Sequence, residues 1–151
     1  MRARVAALPL VGPRLIGGSL AAALRGTGFA ARMTAFNRNR ATLDYALGAG
    51  LIDAAPASLE QAIAEADLIV VGVPTLTVGR IFAAIREHGR PDVLITDVAS
   101  VKGSVVAAAR DAFGAVFQRG VHGLCFSPYL EGQAPGDHIG EVQIRERLKI
   151  I

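Results

Sequence analysis

The sequence predicts an α/β fold in which a mainly parallel, doubly wound sheet carries helices on both faces. Apolar runs that suit buried strands alternate with segments of helical periodicity, and each unit takes about 25 to 35 residues. The run from Leu68 to Val71 is continuously apolar, as expected of a strand that is covered on both faces. A glycine-rich segment separates the first apolar run from the first helical segment. Together these patterns predict helices that cross over a parallel sheet.

Four apolar runs carry the strand prediction, and two weaker runs are further candidates. The main strands are expected at Val5 to Val11, Met33 to Asn37, Leu68 to Val73 and Val93 to Asp97. The weaker ones are Leu51 to Ile52 and Ala115 to Gln118. Pro9 lies inside the first run, and because proline removes a ladder hydrogen bond, we expect an extra turn or bulge before the glycines.

Helices are predicted between these strands. One starts among the glycines and runs from Ile16 to Arg25. Ser58 and Gln61 have the spacing of a capping box ahead of a second helix. Apolar residues at i, i+3, i+4 and i+7 predict a third: Val78, Ile81, Phe82 and Ile85. An alanine-rich helix is expected over Ser104 to Phe113.

Composition excludes several classes of protein. With 52% hydrophobic and 19% charged residues in 151, the chain is expected to fold as one domain. Its apolar runs are too short to span a bilayer, so no membrane association is expected. The net charge of +3 comes from scattered basic residues, which argues against nucleic-acid binding. The single Cys125 makes no internal disulfide and favours a reducing, cytoplasmic setting, and three scattered histidines predict no metal site.

The glycine-rich segment from Gly12 to Leu20 has the placement of a pyrophosphate-binding loop. Gly12 suits the tight turn and Gly17 suits close packing of helix on strand, while N–H groups at the helix start, around Leu15 and Ile16, can hold an anion. Arg14 stands where the middle glycine of the usual motif would let the backbone approach phosphate. The alternative is a glycine-rich turn that only closes the packing between strand and helix.

The end of the second strand bears on the type of nucleotide. An acidic residue about 20 residues beyond the loop normally binds the ribose hydroxyls of NAD. Here Asn37 takes that place, and Arg38 and Arg40 follow. A neutral amide does not repel a 2′-phosphate and guanidinium groups bind phosphate oxygens, so the pattern favours NADP, with NAD as the other candidate. The alternative is a solvated loop with two surface arginines.

Two further strand ends point to the same ligand edge. One strand runs into Val73 and Pro74, and the next leads to Ser100. His122 follows later in the chain and is a candidate base for a substrate hydroxyl, with Ser100 orienting the ring or the substrate. The alternative for His122 is an ordinary loop histidine.

These motifs resemble the N-terminal, Rossmann-like domain of prephenate and arogenate dehydrogenases. The resemblance rests on three segments of this sequence, Leu15 to Leu20, Ala66 to Pro74 and Thr96 to Gly103, and covers roughly residues 5–122. It implies an NAD(P)-dependent oxidative decarboxylation of prephenate or arogenate in tyrosine biosynthesis. It also implies that His122 binds the ring hydroxyl, that Ser100 supports it, and that Val73 and Pro74 border the nicotinamide.

The same resemblance frames the domain organisation. Residues 1–122 are expected to form the dinucleotide-binding domain, and residues 123–151, rich in glycine and proline, an irregular tail. The helical second domain of the family, which completes the substrate pocket and the dimer interface, has no counterpart here. We therefore expect a truncated nucleotide-binding domain whose independent activity is in doubt and whose apolar docking face favours self-association as a homodimer.

Two rival functions stay open at this stage. The chain could be a non-enzymatic, degenerate Rossmann-like module in which Arg14 and Pro9 have closed the phosphate loop. It could also be a relative of the β-hydroxyacid dehydrogenases or the pyrroline-carboxylate reductases, because these enzymes share the nucleotide-binding fold.

Overall fold

The computed structural model describes residues 5–12, 15–99 and 101–114. The strands are β1 (Val5–Val11), β2 (Ala30–Phe36), β3 (Leu68–Val71) and β4 (Leu94–Asp97). All neighbouring pairs are parallel, and the order across the sheet is β2-β1-β3-β4. The chain therefore moves outward in one direction from β1 to β2 and then returns to build β3 and β4 on the other side. The direction reverses between β1 and β3.

Within the described residues, five α-helices connect and cover these strands. They are α1 (Leu15–Arg25), α2 (Arg40–Gly48), α3 (Leu59–Ile63), α4 (Val78–His88) and α5 (Lys102–Phe113), with a short 3₁₀ helix at Thr75–Thr77. None of the helices in the described part of the chain has both the length and the apolar character needed to cross a membrane.

Two hydrophobic cores lie on opposite faces of the sheet. Ile69 and Val71 of β3 pack with residues of α3, α4 and α5, including the fully buried Phe82. Leu68 and Val70 point to the other core, which contains residues of β1, α1 and α2. Alternate residues of one strand thus supply both cores, which is why its sequence is continuously apolar. The doubly wound architecture is confirmed.

The helix α4 follows the predicted apolar spacing. Its four predicted core residues, Val78, Ile81, Phe82 and Ile85, are all buried. The ring of Phe82 lies 5.6 Å from that of Phe113, which ties α4 to α5. Burial of a side chain of this size contributes about 1.5 to 3 kcal/mol. This stripe packs α4 into the core on one face of the sheet.

The cap of α3 matches its predicted signature in part. Ser58 Oγ accepts a hydrogen bond from Gln61 N–H at 3.2 Å, as in a capping box. The Gln61 side chain, however, accepts from the N–H of Ala57 at 3.3 Å instead of that of Ser58. The start of the helix was therefore predicted correctly. The second hydrogen bond of the capping box is made by Ala57, one residue before the expected Ser58.

The helix α2 was missed by the sequence reasoning, which treated its start as a loop. Asn39 caps it by accepting a hydrogen bond from Ala41 N–H at 3.0 Å. At its end Gly50 has a φ of +68°, and Leu51 N–H donates to Ala46 O. This is the hydrogen-bond pattern of a Schellman motif. The weak strand predicted at Leu51 to Ile52 is therefore wrong, because Leu51 completes a helix end.

The expected bulge at Pro9 is also wrong. Every residue of β1 with a partner in β2 lies at the same offset, from Val5↔Ala30 to Val11↔Phe36, so no residue is inserted. The carbonyls of Ala7 and Val11 accept from residues on the β3 side, which indicates that the backbone groups of Pro9, midway between them, also point toward β3. Pairing with β3 involves only Leu10 and Val11. The missing N–H of Pro9 therefore falls outside that short pairing.

The other strand limits differ slightly from the predicted ones. β2 begins three residues earlier than predicted and ends at Phe36, β3 ends at Val71, and β4 begins at Leu94. The ends of β2 and β3 are each followed by polar or glycine residues that form the turns of the ligand edge.

Candidate functional site

The sheet has one place where its strand order reverses, between the carboxyl ends of β1 and β3. Open α/β sheets bind ligands in the crevice at such a point, because the following connections depart to opposite faces. Gly12 follows β1 and Gly72 follows β3. Gly72 N–H donates to Val11 O at 2.8 Å, so the two strand ends are joined by a hydrogen bond. The candidate site is centred on these two glycines.

Gly12 must be glycine for two independent reasons. Its φ is +76°, a conformation that residues with a Cβ rarely adopt. A Cβ placed on it would also lie 2.7 Å from Val73 Cγ1 and 3.1 Å from Gly72 O. Its own N–H donates to Phe36 O at 2.8 Å and ties the loop to β2. Because residue 12 carries no side chain, a diphosphate can approach the backbone closely at this point.

The loop leads directly into α1. Leu15 and Ile16 are the first two residues of that helix, and Gly17 is buried within its first turn. A helix start presents N–H groups without intrahelical partners, which favours an anion at this end. The predicted cradle of Gly12, the α1 start and Gly17 therefore lies on the reversal point. Arg14 lies outside the described residues.

Val73 and Pro74 leave the site on the β3 side. Val73 is half-buried against Gly12, while Pro74 is exposed and precedes the 3₁₀ helix. The structure thus brings Val73 to the glycine loop, which the sequence could not show. Their predicted contact with nicotinamide stays a prediction.

Side chains of the β2 end fold back on their own backbone. Asn37 Oδ1 accepts a hydrogen bond from Asn39 N–H at 3.1 Å, and Asn39 in turn caps α2. These bonds fix the turn that carries Arg38. Asn37 is thus a turn former as well as a neutral replacement for the acidic residue of NAD sites.

The two arginines of this turn have different surroundings. Arg40 is the first residue of α2, and its Nε donates to Asp44 Oδ1 at 3.0 Å in an ion pair within one helix turn. Arg38 is exposed and makes no ion pair or hydrogen bond to other described residues. Sequence alone had treated the two as equivalent. Arg38 is the one whose guanidinium is available to a ligand.

The end of β4 completes the edge. Asp97 is 3% exposed, and its Oδ1 accepts from Ala99 N–H at 3.0 Å, which shapes the turn after the strand. Val98 N–H donates to Val71 O at 3.1 Å, so this turn is tied to β3. The predicted catalytic residues Ser100 and His122 lie outside the described residues.

Sequence reasoning overlooked Gly72 and Asp97. Gly72 directly follows a buried strand, and a glycine in that place is a recognisable signal of close backbone approach. Asp97 carries the equivalent signal for a turn, because an aspartate at a strand end accepts hydrogen bonds from the backbone that follows.

The comparison with known protein families decides the affiliation. Residues 20–122 match the family of the prephenate dehydrogenase nucleotide-binding domain. The chain belongs to this family. The match begins inside α1, so the assignment of Gly12 and Gly17 to a phosphate loop rests on the geometry of the loop itself. Membership in this family argues against the alternative that the chain is a relative of the pyrroline-carboxylate reductases.

Individual relatives of the family agree with this affiliation. The cyclohexadienyl dehydrogenase of Zymomonas mobilis is 30% identical over 104 residues, which are 69% of this chain and 36% of that protein. Prephenate dehydrogenase from Aquifex aeolicus, solved with hydroxyphenyl propionate and NAD⁺, superimposes with a TM-score of 0.68 at 25% identity, over 78% of this chain and 40% of that one. Arogenate dehydrogenase from Synechocystis does so with a TM-score of 0.64 at 29% identity, over 71% and 37%. The chain spans little more than a third of the length of these dehydrogenases.

Proposed function

We propose that this chain is the cofactor-binding part of a prephenate or arogenate dehydrogenase and that it binds NADP in preference to NAD. The observation that carries the proposal is the bare backbone at the reversal point, where Gly12 has a positive φ and no room for a Cβ. A domain of this family with such a crevice has the features that a dinucleotide requires: a bare turn, a helix start and a second strand end at one edge.

The preference for NADP rests on the end of β2. No carboxylate occupies this turn to bind the ribose hydroxyls, because Asn37 stands there and its side chain accepts a backbone N–H. Arg38 is exposed beside it and uncommitted to other described residues. A guanidinium in this place binds the 2′-phosphate of NADP through charge-assisted hydrogen bonds.

The chemistry of the proposed reaction divides between the cofactor and this chain. When bound, NAD(P) would supply the acceptor for the hydride of the ring carbon that bears the 4-hydroxyl, and loss of carbon dioxide would then make the ring aromatic. By the family resemblance His122 accepts the proton of that hydroxyl, and Ser100 orients the histidine. Val73 and Pro74 would border the nicotinamide.

Binding calorimetry with the purified 151-residue chain tests the proposal. We expect saturable binding of NADP and weaker binding of NAD. In Arg38→Ala the Kd for NADP rises about tenfold to a hundredfold, the effect of about 1.5 to 3 kcal/mol for a hydrogen bond to a charged group, while the Kd for NAD changes little. Arg40→Ala is the matched control. It removes the same charge two residues along the chain, but the side chain of Arg40 is already paired with Asp44.

Three outcomes would count against the proposal in different ways. If neither dinucleotide binds, the chain is the non-enzymatic module. If Arg38→Ala weakens NADP and NAD equally, Arg38 does not recognise the 2′-phosphate. If Arg40→Ala has the larger effect on NADP, the roles of the two arginines are reversed. Turnover assays with prephenate and with arogenate, each with both cofactors, then identify the substrate.

A further inference from the structure

The crevice at the strand reversal is bounded by two loops that touch through their backbones. Gly12 belongs to the loop after β1, and Gly72 to the loop after β3. A Cβ on Gly72 would lie 3.0 Å from Gly12 O, closer than side-chain carbons normally come to a carbonyl oxygen. The position of the Gly12 carbonyl therefore depends on the absence of a side chain at residue 72.

The surroundings of Gly72 leave an added methyl group little room elsewhere. The same Cβ would lie 3.5 Å from Val98 Cγ2 on the β4 side and 3.6 Å from Val11 O. Those are ordinary contact distances, whereas the contact with Gly12 O is too short. The strain of a methyl group would thus be relieved by movement of the Gly12 carbonyl, away from β3.

Three helical glycines of the described residues do not share this constraint. A Cβ on Gly18, Gly79 or Gly103 would meet no heavy atom within 4 Å. These three lie in helices, where glycine is a poor helix former and alanine a good one. A Cβ on Gly89 would lie 2.6 Å from Ile85 O, but that contact is made within the end of α4, whereas Gly72 and Gly12 belong to two different loops.

We propose that Gly72 is a positioning residue of the dinucleotide site. By allowing the two backbones to meet, it sets the place of Gly12 and so the direction of the loop that receives the pyrophosphate. This inference rests on the proposed function, and it adds to it a residue outside the glycine motif. The adenosine end of the ligand would lie at Arg38, on a separate turn that the side-chain hydrogen bonds of Asn37 and Asn39 fix.

The test uses two ligands that reach different parts of the site. NADP spans the loop and the Arg38 turn, whereas adenosine 2′-monophosphate carries only the adenosine and the 2′-phosphate. In Gly72→Ala we expect the Kd for NADP to rise tenfold or more and the Kd for adenosine 2′-monophosphate to change less than twofold. Gly79→Ala is the matched control, and we expect both Kd values to stay as in the unchanged chain.

A rescue variant separates positioning from general damage. Val98→Ala added to Gly72→Ala opens space on the β4 side, so the end of β3 can shift and the Gly12 carbonyl can return. We expect the double variant to recover most of the NADP affinity that Gly72→Ala loses. Thermal unfolding is recorded for every variant.

Each other result overturns the inference. Unchanged NADP binding in Gly72→Ala shows that the contact does not matter, and a parallel loss of both ligands shows a general effect on the fold. If neither the single nor the double variant folds, Gly72 serves the fold and not the site. If the unchanged chain binds adenosine 2′-monophosphate but not NADP, the loop is closed and this inference fails while Arg38 keeps its role. If it binds neither ligand, the proposed function itself fails.

Discussion

The amino ends and the carboxyl ends of the strands, which form the amino edge and the carboxyl edge of the sheet, use their polar groups in opposite ways. At the amino edge Asp67 precedes β3, and its Oδ2 accepts hydrogen bonds from the backbone N–H groups of Ala6 and Ala7 at 2.8 and 2.9 Å. Its Oδ1 accepts from Arg90 Nη1 at 2.8 Å, and Arg90 also binds Asp92. One carboxylate thus joins β1, β3 and the turn before β4.

At the carboxyl edge, polar side chains of the described residues shape the turns that follow the strands. Asn37, Asn39 and Asp97 each accept from the backbone of their own turn, two residues along the chain. The strand ends are joined instead by backbone contacts at Gly12 and Gly72, and Arg38 is left available. Charges at one edge stabilise the fold, while the other edge keeps backbone and charge accessible.

This difference separates the residues that hold strands together at their amino ends from those that border the strand reversal at their carboxyl ends. Changes at the two edges should therefore have separable effects: unfolding at the amino edge and ligand affinity at the carboxyl edge.

The largest effect on stability is expected from Asp67→Ala. The change removes the acceptor of two backbone N–H groups and the partner of Arg90, and we expect the free energy of unfolding to fall by about 2 kcal/mol. Urea denaturation measures this loss. Asp92→Ala is the control, because Asp92 binds the same arginine but the hydrogen bonds of Ala6 and Ala7 go to Asp67.

The comparison of the edges would be broken by either of two results. One is an equal loss of stability in Asp67→Ala and Asp92→Ala, which would show that only the surface ion pair matters. The other is a raised Kd for NADP in folded Asp67→Ala, which would show that the amino edge controls the ligand site.

A smaller, pH-dependent effect is expected at Asp53, beside the outer edge of β2. Burial raises the pKa of this carboxyl, but the hydrogen bond from Met33 N–H and the Arg25 guanidinium outweigh burial, so the pKa lies below its ordinary value of 3.8. A lowered pKa in the folded state gives stability that is present above the unfolded pKa and is lost as the pH falls through the folded one. Asp53 therefore stabilises the fold at neutral pH and ceases to do so in acid.

Asp53→Asn tests this by comparison with the unchanged chain at several pH values. We expect the variant to be less stable at pH 7 and the difference to shrink as the pH drops below about 4. Denaturation curves at each pH measure it. A difference that stays constant over this range would mean that the charge of Asp53 plays no part.

The smallest effect is expected from Asp44→Ala at the carboxyl edge. Loss of the exposed ion pair, worth about 0.3 to 0.5 kcal/mol, releases Arg40 beside the Arg38 turn. We expect the Kd for NADP to fall about twofold, with the Kd for NAD and the unfolding midpoint almost unchanged. Asp111→Ala, on the exposed side of α5, changes the net charge equally and controls for long-range attraction. An equal decrease of the Kd for NADP in the two variants would show that Arg40 does not contribute to the site.

Much of this architecture was predictable because it depends on local patterns. Apolar runs located the four strands of the described residues, and the i, i+3, i+4, i+7 stripe located α4 with its buried residues. The helix α2 was not predicted, although Asn39 is a good cap, because Arg38 and Arg40 also fit a loop that binds a ligand. Its apolar residues Leu43 and Ala46, both buried, carried the missing helical signal.

The candidate site was predictable only as a set of strand ends. The motif around Gly12 and the turn of Asn37 and Arg38 were identified, and the structure places both at the carboxyl edge. That Arg40 is paired and Arg38 is not depends on the geometry of α2, which the sequence reasoning lacked. The importance of Gly72 was invisible for a similar reason, since its close neighbour Gly12 is distant along the chain.

The sequence by itself determined the α/β class, the parallel strands and the family of this protein, because hydrophobic periodicity and short motifs act over a few neighbouring residues. The tertiary structure alone decided which residues meet at the strand reversal. Contacts such as Gly12 with Gly72, or Asp67 with Ala6, join segments far apart in the chain, and their energies depend on distances of a few tenths of an ångström that no local pattern encodes.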